Sequence, residues 1–126
     1  ECSECEILGE IDYKVNNETI LRPDIALTYN ETNELHLTKA PEIIVEIISK
    51  ATAKRDEVYK FDIYEAQKVN YYVIIYPDDL VAKVYKLDGK EYDKQGDFSL
   101  ESYNFEETTC KVSLDFEKVF KRFRKL

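Results

Sequence analysis

The sequence predicts an α/β fold: a mixed β-sheet core flanked by helices, followed by a C-terminal hairpin and a closing helix. Two segments, 43–48 and 71–76, are almost wholly apolar and rich in β-branched or aromatic residues, which is typical of central strands covered on both faces. The segment between them, 52–67, repeats apolar residues at helical spacing. Because a helical crossover leaves the strands it connects parallel, at least this pair should be parallel.

Short elements precede the first central strand. Residues 6–15 mix apolar and polar positions as a strand does, and residues 16–18 predict a turn. Pro23 then introduces a short strand at 25–29, at a position where no ladder hydrogen-bond donor is required. Residues 30–39 are polar and should be irregular.

The C-terminal third predicts smaller strands and a closing helix. Residues 81–87 alternate between apolar and polar, and the Asp-Gly pair that follows predicts a hairpin turn into a short strand near 91–93. We expect hairpin edges and loops over 97–111 and a helix over 115–126. The apolar stripe of that helix consists of Phe116, Val119, Phe120 and Phe123.

Length and hydropathy limit the kind of protein. With 126 residues, the chain is expected to form one domain over residues 1–126. It has neither an apolar run of about 18 residues nor a visible signal peptide, so we expect no membrane contact and a cytoplasmic location. It starts at Glu1 and contains no methionine, which indicates a fragment or a processed form of something longer.

The charge balance is acidic. Eighteen Lys and Arg residues oppose 26 Asp and Glu residues, which gives a net charge of −8. This balance argues against strong sequence-independent binding of nucleic acid, which depends on cationic side chains at phosphates. It leaves open a metal-dependent enzyme that acts on phosphates, because bound cations supply local positive charge.

Three cysteines, Cys2, Cys5 and Cys110, are an odd number for a disulfide framework, and none is expected. Cys2 and Cys5 have the spacing of metal ligands or of a redox pair. A structural zinc site needs about four ligands, however, and only Cys110 and His36 remain to complete it. We therefore favour small residues near the start of a strand over a metal site.

Glu46 is the most informative residue, because it interrupts the apolar run 43–48. A charged carboxylate that is buried without a partner costs several kcal/mol, so a metal, a basic partner or a proton should compensate it. Asp24 opens the preceding strand and could lie within a few ångströms of Glu46, and two carboxylates that close need a cation. Alternatively, Glu46 lies at an exposed sheet end or pairs with a basic residue, and Pro23-Asp24 is a turn.

The helix after Glu46 contributes a third group. Lys60 would point back over the sheet towards Glu46, where an ammonium could orient a water or stabilise a reacting phosphate. The alternative is an ordinary surface pair between Asp56 and Lys60, which are spaced i,i+4.

In combination these residues resemble the family of "putative restriction endonucleases" in the PD-(D/E)XK nuclease superfamily. The resemblance rests on Arg22-Pro23-Asp24, on Pro41 to Ser49, on Thr52 to Asp56 with Lys60 and Tyr64, on Asn70 to Pro77, and on the tail Leu114 to Phe120. It implies a restriction-endonuclease-like α/β/α sandwich that hydrolyses phosphodiester bonds in DNA. Asp24 and Glu46 would bind Mg²⁺, or Mn²⁺, with help from the backbone carbonyl of Ile47.

The chain departs from this family pattern in two places. The superfamily's lysine lies two residues after the acidic residue, a position that Ile48 occupies here. Lys60 is therefore the candidate for a lysine that has migrated to the helix. Family members usually have further helices before the first strand, so part of the substrate groove and one site carboxylate could be lacking here.

The expected partner is DNA, held weakly unless another protein delivers it. Arg22, Lys50, Lys54 and Arg55 lie near the proposed site and are the candidate nucleic-acid contacts. A second basic cluster lies at the end of the chain. Its alternative role is to stabilise the C-terminal end of the closing helix, where cations are favoured. Two other interpretations remain: a catalytically inactive nuclease-like binding or assembly module, and a subunit that forms a homodimer through its aromatic sheet edge.

Overall fold

The computed structural model of the protein describes residues 5–49 and 54–121. The strands are β1 (Cys5–Gly9), β2 (Tyr13–Lys14), β3 (Ile20–Leu21), β4 (Ile25–Tyr29), β5 (Ile43–Ile47), β6 (Tyr71–Tyr76), β7 (Val81–Asp88), β8 (Glu91–Phe98), β9 (Ser102–Phe105) and β10 (Val112–Asp115). The helices are α1 (Lys54–Ala66) and α2 (Phe116–Phe120). The chain thus has the predicted α/β fold, including the hairpin that turns at Asp88-Gly89 between β7 and β8 and a closing helix, and β9 and β10 form a further hairpin.

The central sheet has six strands in the order β1-β4-β5-β6-β7-β8. Strands β5 and β6 are parallel, with Val45 opposite Val73, and α1 connects them. All other neighbours in the sheet are antiparallel. The predicted parallel pair and the mixed character of the sheet are therefore confirmed.

Each face of the sheet has its own buried cluster. The helix face, beneath α1, buries Tyr13, Leu21, Ala26, Leu37, Ile44, Ile48, Tyr64, Val69, Tyr72, Ile74 and Tyr92. The hairpin face, beneath β9, β10 and α2, buries Leu27, Ile43, Val45, Tyr71, Val73, Ile75, Ala82, Val84, Phe105, Cys110, Phe116 and Phe120. The alternation of side chains along the strands separates the two sets, and β8 changes face once, at the register shift opposite Val84 and Tyr85.

Three elements differ from their predicted bounds. The strand expected over 6–15 is divided, because Glu10 has a positive φ of 51° and turns the chain between β1 and β2. Strand β8 extends to Phe98 although its sequence is polar, because it pairs along the whole of β7. In the described part, α2 covers Phe116–Phe120, and Phe123 lies outside the described residues.

Cys5 and Cys110 form a disulfide, so the expectation that none would occur is wrong. The bond joins β1 to the segment between β9 and β10, across a sequence separation of 105. The Glu42 carboxylate accepts from the amides of Thr109 and Cys110, which holds that segment against the sheet. Residues this distant in sequence meet only through the sheet order, which cysteine spacing does not reveal.

Two smaller findings concern metals and membranes. Because Cys5 is bonded to Cys110, its sulfur does not ligate a metal together with Cys2, which lies outside the described residues. Over residues 5–49 and 54–121, no helix has the length and apolar character needed to span a bilayer.

Candidate active site

Asp24 and Glu46 lie on neighbouring strands at one end of the sheet. Ile25 is opposite Val45 in the β4–β5 ladder, so the next step of the register places Asp24 across from Glu46 on the helix face. The Asp24 Oδ2 accepts a hydrogen bond of 2.7 Å from the backbone amide of Ile47. The Asp24 carbonyl accepts another of 3.0 Å from Glu10. Strand β5 and the turn after β1 therefore hold Asp24 from both sides.

Glu46 is buried, with 2% of its surface exposed, and both of its carboxylate oxygens have partners on α1. The Nζ of Lys60 lies 3.6 Å from Oε1. The Tyr64 hydroxyl donates a 2.9 Å hydrogen bond to Oε2. Lys60 and Tyr64 are four residues apart and so share one face of the helix. Of the alternatives for Glu46, the exposed sheet end is wrong and the basic partner is present.

The environment of Glu46 changes its proton affinity. Burial raises the pKa of its carboxyl from 4.5 to about 7. The charge of Lys60 and the Tyr64 hydrogen bond lower this pKa, whereas the charge of Asp24 and a hydrogen-bonding contact with its carboxyl raise it. The two carboxyl groups therefore lie close enough to interact, and they favour a shared proton or a cation between them.

Tyr64 remains a hydrogen-bond donor. Burial, followed by the charge of Glu46, raises the pKa of the Tyr64 hydroxyl far above its usual value. In the sequence, Tyr64 is part of the motif that resembles the family, but it was assigned no role in the site. Its position four residues after Lys60 was the available signal, because that spacing brings both side chains to the same carboxylate.

Ile48, at the position of the superfamily's lysine, is 7% exposed and packs in the core of the helix face. It leaves the strand without an ammonium group at that point. Lys60 supplies one from α1, and its Nζ lies towards Glu46 as predicted. The side chain of Asp56 lies outside the described residues, so the surface pair between Asp56 and Lys60 stays a prediction.

Of the four candidate nucleic-acid contacts, Arg22 is the one whose side chain the structure describes. Arg22 is 62% exposed in its side chain and forms a 3.0 Å ion pair with Asp12. Lys50 lies outside the described residues, as do the side chains of Lys54 and Arg55 at the start of α1. Their role as phosphate contacts stays a prediction.

Asp24, Glu46 and Ile47 are the candidate ligands of a divalent ion. Within the described residues, no group of three His, Cys, Asp or Glu side chains could hold a metal. Two neighbouring carboxyl groups nevertheless fit Mg²⁺, which commonly uses one or two protein carboxylates and completes its shell with water and phosphate oxygens, and the Ile47 carbonyl would be the expected third protein ligand. The set Asp24, Glu46 and Ile47 thus suits a hard cation.

The match to a protein family decides the classification. The Uma2 family, described as "Putative restriction endonuclease", matches residues 3–116. The chain belongs to the Uma2 family. Its family is thus one of nuclease-like proteins, and its fold is restriction-endonuclease-like, as its sequence predicted. A comparison with curated proteins finds no match.

Solved structures agree with the fold of this Uma2 protein. It resembles the crystal structure of a "putative nuclease" from Anabaena variabilis, with a TM-score of 0.71 and 13% identity over 95% of this chain and 70% of that one. A weaker likeness, with a TM-score of 0.46 and 17% identity, is to a chain of the DrdV–DNA complex and covers 75% of this chain and 8% of that one. At these identities the first likeness shows the fold alone.

Proposed function

We propose that this protein is a Mg²⁺-dependent endonuclease that hydrolyses phosphodiester bonds in DNA. The observation that carries the proposal is that the sheet register places the Asp24 carboxylate across from that of Glu46, beside the Lys60 ammonium. A buried carboxyl group with a second one nearby reduces stability unless something compensates them, and such groups are concentrated in functional sites. The family match supports phosphodiester hydrolysis as the chemistry they serve.

Asp24 and Glu46 would hold Mg²⁺, or Mn²⁺, together with the Ile47 carbonyl. The bound ion would act as a Lewis acid on the phosphate and lower the pKa of a coordinated water. The Ile47 amide fixes the Asp24 carboxylate through its 2.7 Å hydrogen bond, and this bond preorganises one ligand before any ion arrives. Tyr64 fixes one oxygen of Glu46 in the same way.

Lys60 would act on the water or on the phosphate. Its ammonium lies 3.6 Å from Glu46 and is 19% exposed in its side chain, so it is held at the site and still borders solvent. An ammonium in this place can orient the attacking water and stabilise the negative charge that develops on the phosphate. The net charge of −8 predicts that DNA affinity is weak unless a partner protein contributes.

The test is calorimetric titration of Mg²⁺ and Mn²⁺ into the wild type and into Asp24→Asn and Glu46→Gln. We expect saturable binding in the wild type that both substitutions abolish. Asp62→Asn serves as the matched control, because this carboxylate is exposed on α1 and should leave binding unchanged. In a following assay on labelled DNA, Lys60→Ala should lower the rate about a hundredfold, within the range of general acid–base effects. A wild type that binds no metal at millimolar concentration while remaining folded would contradict the proposal.

A second candidate is a catalytically inactive nuclease-like module that binds or assembles. The observation that favours it is that Lys60 and Tyr64 already occupy both oxygens of Glu46. Such a module would show no metal-induced rise in melting temperature, and this is the deciding measurement, because Glu46→Gln should stabilise the metal-free protein at alkaline pH in either case. A rise with Mg²⁺ that Glu46→Gln removes would instead favour the nuclease. The homodimer through the sheet edge stays a prediction, for which size measurement in solution is the test.

A further inference from the structure

Lys83 lies in the same row across the sheet as Glu46. In the ladders of the central sheet, Glu46 is opposite Ile74, and Ile74 is opposite Lys83. Lys83 is thus two strands from Glu46, about 10 Å at roughly 4.8 Å per strand. Ile74 belongs to the buried cluster of the helix face, so Lys83 also points to the face that carries the two carboxyl groups.

The amino group of Lys83 is held by an aromatic ring. Its Nζ lies 5.1 Å from the centroid of Tyr76, which is cation–π geometry. The Tyr76 hydroxyl is itself hydrogen-bonded to Glu57 of α1, which fixes the ring. This contact positions a half-buried ammonium without using its N–H donors, so the donors remain for an anion.

Lys83 differs in this respect from the other described lysines and arginines near the site. Arg22 is paired with Asp12, Lys60 with Glu46, and Lys94 with Asp97. Asp97 is opposite Lys83 in the β7–β8 ladder but forms its 2.9 Å ion pair with Lys94. Within residues 5–49 and 54–121, Lys83 forms no ion pair. A fixed cation in an acidic protein, on the same sheet face as two carboxyl groups and about 10 Å from them, is suited to a phosphate.

We propose that Lys83 binds a backbone phosphate of the DNA strand, a few nucleotides from the bond that is cut. The assignment rests on the proposed function, since it takes the scissile phosphate to lie at Asp24 and Glu46. The spacing of about 10 Å exceeds the rise of about 3.4 Å per nucleotide along the helix axis, so this phosphate belongs to a nearby nucleotide and not to the bond that is cut. Lys83 is thus a substrate-positioning residue, and it reads the backbone and not the base sequence.

The experiment measures DNA affinity by fluorescence anisotropy of a labelled oligonucleotide, in buffer with a chelator, from low to moderate salt. The variants are Lys83→Gln, Lys83→Arg and Lys86→Gln. Lys86 is the matched control: it lies on the same strand, but its side chain points to the hairpin face and pairs with Glu107 at 3.2 Å. Lys83→Gln should weaken binding several-fold and reduce the slope of log affinity against log salt by about 1.

Lys83→Arg should keep most of the affinity, because it retains the charge, and Lys86→Gln should match the wild type. Equal affinities for Lys83→Gln and Lys86→Gln would overturn the assignment, as would a wild type that binds DNA without salt dependence. Metal titration separates this result from the fate of the proposed function. If Mg²⁺ binds but Lys83→Gln has no effect, only the Lys83 assignment fails. If Lys83→Gln weakens DNA binding in a protein that binds no Mg²⁺, the phosphate contact stands and the nuclease proposal fails.

Discussion

The two faces of the sheet differ in how their buried polar groups are hydrogen-bonded, as the adjacent residues Tyr71 and Tyr72 show. On the hairpin face, the Tyr71 hydroxyl donates to the Glu106 carbonyl at 2.7 Å. On the helix face, the Tyr72 hydroxyl is buried and has no hydrogen-bond partner among the described residues. The helix face also buries the Glu46 carboxylate. The hairpin face is thus arranged for stability, while the helix face accepts polar burial that reduces stability, as functional sites commonly do.

The largest effect should come from the hairpin face. Phe116 is fully buried and stacks on Phe98, with ring centroids 5.6 Å apart. Phe116→Ala should lower the free energy of unfolding by about 3–5 kcal/mol, because it removes a large side chain from a packed site. Chemical denaturation measures this loss. Val119→Ala, at a partly buried position of the same helix, should cost much less.

The same substitution should spare the site. If the two faces are independent, Phe116→Ala leaves the metal affinity of the folded protein unchanged at low temperature. A large loss of metal affinity in a protein that remains folded would show that the hairpin face positions Asp24 or Glu46, and the separation of roles would fail.

The disulfide should rank next. Cys5–Cys110 closes a loop with a sequence separation of 105, so its removal frees much chain entropy in the unfolded state. We expect Cys5→Ser with Cys110→Ser to lower the free energy of unfolding by about 2–4 kcal/mol. Thermal unfolding with and without a dithiol reductant measures it. Equal unfolding of the wild type in both conditions would show that the bond contributes little.

Sequence reasoning succeeded where a pattern is local and failed where contacts are distant. The apolar runs 43–48 and 71–76 and the helix between them predicted the parallel pair, because period and composition decide those elements. Glu46 stood out because a carboxylate in such a run needs a partner. The Cys5–Cys110 bond could not be predicted in this way, because it depends on the sheet order, and the length of β8 depends on pairing with β7.

The acid–base behaviour of Glu46 should make stability depend on pH. Burial raises its pKa to about 7 in the folded protein, against 4.5 as the ordinary value. The folded state therefore binds more protons between these pH values, and stability falls as pH rises through them. At about 1.4 kcal/mol per pKa unit, the loss of folding stability approaches roughly 3 kcal/mol above pH 7. Below pH 4.5 this loss is absent.

Glu46→Gln should remove this dependence. Without metal, its melting temperature should exceed that of the wild type at pH 8, and the difference should shrink towards pH 5. Asp62→Asn, on the exposed side of α1, should retain the wild-type profile. Identical profiles for Glu46→Gln and the wild type would show that Glu46 stays ionised across this range, and the raised pKa would be wrong.

The smallest effect distinguishes two buried tyrosines on the helix face. Tyr64→Phe removes the donor to Glu46 Oε2 and should cost about 1–3 kcal/mol at pH 8, because it leaves a buried carboxylate oxygen unpaired. Tyr72→Phe removes a hydroxyl without a described partner and should be neutral or slightly stabilising. The Tyr64 hydrogen bond also lowers the pKa of Glu46, so Tyr64→Phe should move the pH midpoint of Mg²⁺ binding upward, which calorimetry at several pH values measures. Equal behaviour of the two variants would mean that the Tyr64 hydroxyl packs near Glu46 without supporting it, and the polar burial on this face would then have no link to metal binding.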